Sequence, residues 1–242
     1  MIVDSGIGDR AALSPRVAID GPAGAGKSTV AKRLAERLGF LHVDTGALYR
    51  TVALAAHRAG ASWDEESRIA DVAEAVVSAR RIRMERAEGG GPMRVLLDGE
   101  DVSLAIRTPE MSAGASRVSA IARVRGALLD LQRQAGAAGG VVLEGRDIGT
   151  VVFPDAEVKL FLTATPEERA RRRYDELVEK GVATTYEATL ADQLARDKAD
   201  TERKVAPLRQ AEDAVLVDST GRDIDQVIEE MVRVVEARRR DR

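Results

Sequence analysis

The stretch Gly21-Pro-Ala-Gly-Ala-Gly-Lys27-Ser28-Thr29 decides the fold. It fits G-x-x-x-x-G-K-[ST], the phosphate-binding P-loop. Before it, Arg16-Val17-Ala18-Ile19-Asp20 reads as a short buried strand. After it, Val30, Leu34 and Leu38 recur at helical spacing and Gly39 stands where a helix stops. The loop therefore joins a strand to a helix, which is the context the motif requires. Gly21, Pro22, Ala23, Gly24, Ala25 and Gly26 form a cradle whose backbone N–H groups turn towards phosphate oxygens. The helix N-terminus adds its dipole. Lys27 adds a full charge, Ser28 supplies a hydroxyl for Mg²⁺, and Thr29 closes the motif.

Composition narrows the classes. A chain of 242 residues suits one core with a small subdomain. No run approaches the roughly 18 apolar residues of a membrane span, and the first residues carry no secretory signal pattern. Residues 1–15 read as a loose tail and 16–242 as the folded domain. The absence of cysteine excludes disulfides and thiolate metal sites and points to the cytoplasm. A net charge of −3 and 3% aromatics argue against a nucleic-acid partner. Only six of the 37 basic residues are Lys. Genome composition can produce that skew, but Arg also grips phosphate with two parallel hydrogen bonds.

Strand-like and helical runs alternate along the chain, predicting a parallel sheet flanked by helices. Strands are expected at 16–20, 41–43, 141–143, 158–162 and 215–217, and helices at 28–38, 46–59, 166–180 and 224–240. Residues 62–107 break the rhythm. Short alternating runs at 80–86, 94–97 and 100–103 carry an Asp98-Gly99 turn signal and the Gly89-Gly-Gly-Pro92 stretch. They read as a helix plus a small antiparallel meander inserted into the α/β core.

A P-loop alone leaves the chemistry open. A GTPase switch needs a guanine-reading Asn-Lys-x-Asp, which is missing. A motor ATPase is partly matched by Val141-Val-Leu-Glu144, but the following Gly145-Arg146-Asp147 suits an anionic second substrate. A nucleic-acid module lacks its basic, aromatic stripe. A small-molecule kinase fits better, because phosphoryl transfer rests on positioning and charge neutralisation. A monophosphate acceptor is already largely ionised near pH 7, so a chain with only two histidines needs no further base.

Several blocks together resemble the bacterial cytidylate kinase family, from Val17 onward over nearly the whole chain. They are Ile19-Asp-Gly-Pro-Ala-Gly-Ala-Gly-Lys27, Asp44-Thr-Gly-Ala-Leu-Tyr-Arg50, Ile106-Arg-Thr108, Gly145-Arg-Asp-Ile-Gly-Thr-Val-Val-Phe-Pro-Asp155 and Val205-Ala-Pro-Leu208. The resemblance implies a P-loop NTPase fold, with residues 62–107 as a monophosphate-binding insert and about 165–186 as a lid. It implies ATP as phosphate donor, Mg²⁺ as cofactor and CMP or dCMP as acceptor; separately, the chain is expected to act as a monomer with no membrane partner. A P-loop kinase with another acceptor, such as UMP, AMP or a small metabolite, is the alternative.

The resemblance also implies roles. Lys27, Arg146 and Arg173 would act on the transferring phosphate, and from the lid Arg169 or Arg173 would stack on adenine or bridge the phosphates in the transition state. Arg50, Arg146 and Arg203 would hold the acceptor phosphate, with the Thr45 hydroxyl nearby. Asp147 would accept from the cytosine amino group, with Arg125 and Ser116 on the same base edge. Asp200 would bind the pentose hydroxyls beside Arg196. Arg196, Asp200 and Arg203 are spaced to share one helix face, although a solvated, salt-bridged surface is the plainer reading of that spacing. The chain departs from the family pattern at Ala23 and Thr45, where Ser is more usual, and at Glu144, where Asp is more usual.

Overall fold

The structure, a computed structural model, describes residues 14–86 and 93–240. The Gly89–Pro92 turn expected from sequence and most of the expected tail lie outside these residues. The described chain divides into two compact units. The first comprises residues up to His42, then Ala135–Glu202 and Ala206–Arg242; the second comprises Val43–Gln134 with Arg203–Val205.

The first unit is built on β1 (Arg16–Asp20), β6 (Val141–Gly145), β7 (Val158–Thr163) and β8 (Val215–Asp218), all paired parallel in the order β6-β1-β7-β8. β2 (Leu41–Asp44) joins next to β6 and carries the chain on into the second unit. Alternate residues fill one apolar layer: Val17 and Ile19 of β1, Leu160 and Leu162 of β7 and Val217 of β8. Helices α1 (Lys27–Leu38) and α8 (Ile224–Arg240) pack into it through Val30 and Leu34 and through Val227, Met231 and Val235. Gly39 ends α1 in the left-handed conformation, its N–H returning to Ala35 and Glu36 carbonyls, a cap that a Cβ would strain. Two further helices belong here, α6 (Pro166–Glu179) and α7 (Tyr186–Glu202). α6 starts where Thr165 Oγ1 accepts from Glu168 N, with Pro166 in the first turn. Because the strands are parallel, the loops after β1, β6, β7 and β8 leave the same sheet edge, where open α/β sheets bind ligands.

The second unit holds α2 (Gly46–Arg58), α3 (Glu66–Ser78), an antiparallel sheet of β3 (Ile82–Arg86), β4 (Met93–Leu97) and β5 (Glu100–Asp101), then α4 (Pro109–Val118) and most of α5 (Ala122–Gly136). Asp98 (φ 56°) and Gly99 (φ 84°) turn β4 into β5, as two consecutive left-handed residues do in a tight hairpin. Leu48, Val52, Ile69, Ala73, Val95 and Leu128 anchor its core. The described residues of the 62–107 segment lie within this unit.

Candidate active site

The first unit gathers the charged groups at the strand carboxyl ends. Gly21 (φ 153°) passes so close to β7 that a Cβ would stand 2.0 Å from the Leu162 carbonyl oxygen. Only glycine fits there. Lys27 is 7% exposed and its Nζ donates to the Gly21 and Pro22 carbonyls at 2.8 and 2.7 Å. Burial, then the nearby Arg146, pull its pKa well below the usual lysine range. Ser28 and Thr29 are exposed in the first turn of α1, and Ser28 Oγ donates to Glu144 Oε2 at 2.9 Å. Glu144 is buried at the end of β6, and its other oxygen meets His42 Nε2 at 3.0 Å.

Asp20 was not among the residues expected at the site. It is 5% exposed and accepts from the backbone N–H groups of Ile148 and Gly149 at 2.8 and 2.7 Å. These belong to a single π-turn, Ile148–Val152, that follows Arg146 and Asp147. One carboxylate at the end of β1 thus pins the backbone just after the Arg-Asp pair. Burial, only partly offset by these two bonds, raises its pKa to about 6. Asp147 is 3% exposed at the start of that turn. Arg146 Nε donates to Asp200 Oδ2 at 2.8 Å, joining two residues expected in the acceptor site.

Arg169 is 4% exposed. It donates to the carbonyls of Ala164 and Ala23 at 3.0 and 2.9 Å and pairs with Asp197 at 2.6 Å. Of the two lid arginines singled out from sequence, it is the one held against the phosphate loop. Arg173 pairs instead with Glu176 on its own helix at 2.7 Å. Arg172, not anticipated, donates to Ser219 Oγ and carbonyl oxygen at 3.1 and 2.8 Å, tying α6 to the loop after β8.

In the second unit, Thr45 is buried just before α2, and Arg50 NH2 donates to Asp44 Oδ2 at 2.5 Å. Arg125 is 7% exposed, lies 5.3 Å over the Tyr49 ring and donates to the Ser119 carbonyl at 3.2 Å. Ser116 lies half-buried on α4. The shared helix face expected for Arg196, Asp200 and Arg203 holds only in part. α7 ends at Glu202, so Arg203 lies beyond the helix, within the 203–205 segment of the second unit. A helical spacing cannot reveal that the helix stops one residue short.

A P-loop whose lysine is buried, a hydroxyl–carboxylate pair at its exit and an arginine against its wall define a phosphate-handling enzyme of the P-loop class. A family model for cytidylate kinase matches residues 17–237, and the chain belongs to that family. It is 57% identical to the cytidylate kinase of Syntrophotalea carbinolica over 222 residues, covering 92% of each chain. It is 52% identical to that of Geobacter sulfurreducens, covering 93% of this chain and 94% of the relative. Among solved structures, an uncharacterized protein from Eubacterium ventriosum shares the fold at a TM-score of 0.51 and 12% identity, over 93% of this chain and 99% of the other.

Proposed function

We propose that this protein transfers the γ-phosphate of ATP to CMP or dCMP, yielding ADP and the corresponding diphosphate. The observation that carries the reading is the half-buried Arg146 followed by the buried Asp147, with Asp20 holding the next two backbone N–H groups beside the P-loop of a chain in the cytidylate kinase family. Lys27 would hold the β- and γ-phosphates once it exchanges two loop carbonyls for phosphate oxygens, and Arg169, with Arg173 from the same helix, would approach them from the lid. In the first unit Arg146 would take the acceptor phosphate, Asp147 the cytosine amino group, and Asp200 with Arg196 the pentose. In the second, Thr45, Arg50 and Arg203 would serve the phosphate and Ser116 and Arg125 the base. Uracil would present an acceptor oxygen to the Asp147 carboxylate where cytosine presents a donor, at a cost of about 1–3 kcal/mol.

The residues present suit Mg²⁺. Ser28 Oγ and the Glu144 carboxylate are hard oxygen donors 2.9 Å apart. Among the described residues no cluster of three or more His, Cys, Asp or Glu forms a cage, which fits an ion held mostly by substrate phosphates and water. Ser28, steered by Glu144, would hold the ion, which neutralises charge on the β- and γ-phosphates when bound. Among the described residues no helix is long and apolar enough to cross a membrane. The cysteine-free chain supports a cytoplasmic enzyme. We assign it small-molecule substrates, no nucleic acid, and action as a monomer.

Coupled ADP release with ATP and Mg²⁺, run against CMP, dCMP, UMP, AMP and shikimate, tests the assignment. Fast turnover with CMP and dCMP and little with UMP is expected. Turnover confined to another acceptor would refute it.

A further inference from the structure

Helix α7 turns polar side chains inward. Its buried residues are Thr189, Gln193 and Asp200, while Leu194 is 48% exposed. Two of the three have partners: Thr189 Oγ1 donates to the Thr185 carbonyl, and Asp200 receives Arg146. Gln193 differs. It is 6% exposed, yet neither Oε1 nor Nε2 meets a hydrogen-bond partner. A buried carboxamide left this way costs about 1–3 kcal/mol for each unpaired group and is rare in folded proteins. Such a residue is retained where something else satisfies it.

Its position says what that partner is. Nε2 stands 2.3 Å from the point where a Cβ on Gly24 would lie. Gly24 is exposed, left-handed at φ 73°, and sits at the middle of the phosphate loop. The Arg169 backbone oxygen is 3.2 Å from the same point. Asp197, one turn along α7 from Gln193, pairs with the Arg169 guanidinium. The carboxamide therefore lies directly over the loop, with the lid arginine beside it.

We propose that Gln193 is a nucleotide-binding residue whose side-chain amide donates to a terminal phosphate oxygen of the triphosphate in the 21–29 loop. The proposal rests on the ATP assignment made above. Gln193 supplies a donor without adding a third cation to Lys27 and Arg169. A glycine at position 24 leaves room for the carboxamide, since any Cβ there would collide with it.

Two variants of nearly equal length test this by titration with a non-hydrolysable ATP analogue plus Mg²⁺ and, separately, with inorganic tripolyphosphate. Gln193→Leu removes the donor and the unpaired polar atoms together. Its unfolding temperature should match or exceed that of the parent. Its Kd for both probes should rise at least about 10-fold, the lower end of the loss expected for a hydrogen bond to a charged group, with the KM for CMP unchanged. Gln193→Glu should weaken both probes further, by an amount that shrinks as salt is added. Unchanged affinity in Gln193→Leu, or weakening for the ATP analogue but not for tripolyphosphate, would overturn the phosphate contact while leaving the ATP assignment standing. A parent protein that binds neither probe would break the assignment and the proposal together.

Discussion

Two helices of the first unit, α7 and α8, each span 17 residues and bury opposite chemistries. α8 buries Val227, Ile228, Met231, Val232 and Val235 against the sheet. α7 buries Thr189, Gln193 and Asp200 and leaves Leu194 in solvent. A helix that only supports a fold turns its apolar stripe inward. One that turns polar groups inward gives up that stabilisation and keeps the groups for a ligand. The same split runs through β1: Val17 and Ile19 enter the apolar layer, while Asp20 at its end holds the Ile148–Gly149 backbone.

This contrast is open to attack by substitution. The largest effect is expected at the phosphate loop. Lys27→Met should keep the unfolding temperature near that of the parent, because Lys27 is buried with a lowered pKa and, among the described residues, has two loop carbonyls as hydrogen-bond partners. Turnover should fall by about 10²–10³. Normal turnover would remove Lys27 from the chemistry.

Met231→Ala on α8 should do the reverse. Met231 is fully buried, and truncation should cost about 2–5 kcal/mol in urea unfolding with kcat and KM unaltered at a temperature where the variant stays folded. A kinetic defect without a stability loss would contradict a purely structural α8.

A smaller, pH-dependent effect is expected at Asp20, whose pKa is raised from 3.8 to about 6 by burial. Below pH 4 the group is protonated in both folded and unfolded states, and its contribution to folding is fully present. As pH rises through 6 the unfolded chain releases this proton first, so that contribution is lost. At about 1.4 kcal/mol per pKa unit, the loss approaches about 3 kcal/mol. Asp20→Asn cannot titrate. The stability difference between parent and variant should therefore shift against the parent between pH 4 and 6.5. A difference that stays flat would mean that Asp20 is ionised throughout.

Much of the sheet was legible because its strands are short apolar runs and its first loop is a contiguous motif. Residues 16–20 and 158–162, read as strands from composition, are strands in the structure with boundaries shifted by at most one residue. Helices α4 and α5 were not anticipated. Their apolar positions are diluted by Ser, Gly, Ala and Arg, and the core that buries Met111, Val118 and Leu128 is assembled from distant segments. The Arg146–Asp147 pair stood out because both residues follow a strand directly. Asp20 did not, because its partners lie about 128 residues away. Gln193 was invisible for a different reason. Periodicity directs attention to Leu190 and Leu194, and on α7 the burial pattern runs against hydropathy.

The most direct test of the account compares kcat/KM for CMP and for UMP in the parent and in Asp147→Ala. If the buried Asp147 reads the cytosine amino group, the parent should favour CMP strongly, and the variant should lose at least about 10-fold of that preference while keeping its affinity for ATP. A CMP-to-UMP ratio unchanged by the substitution would contradict the account.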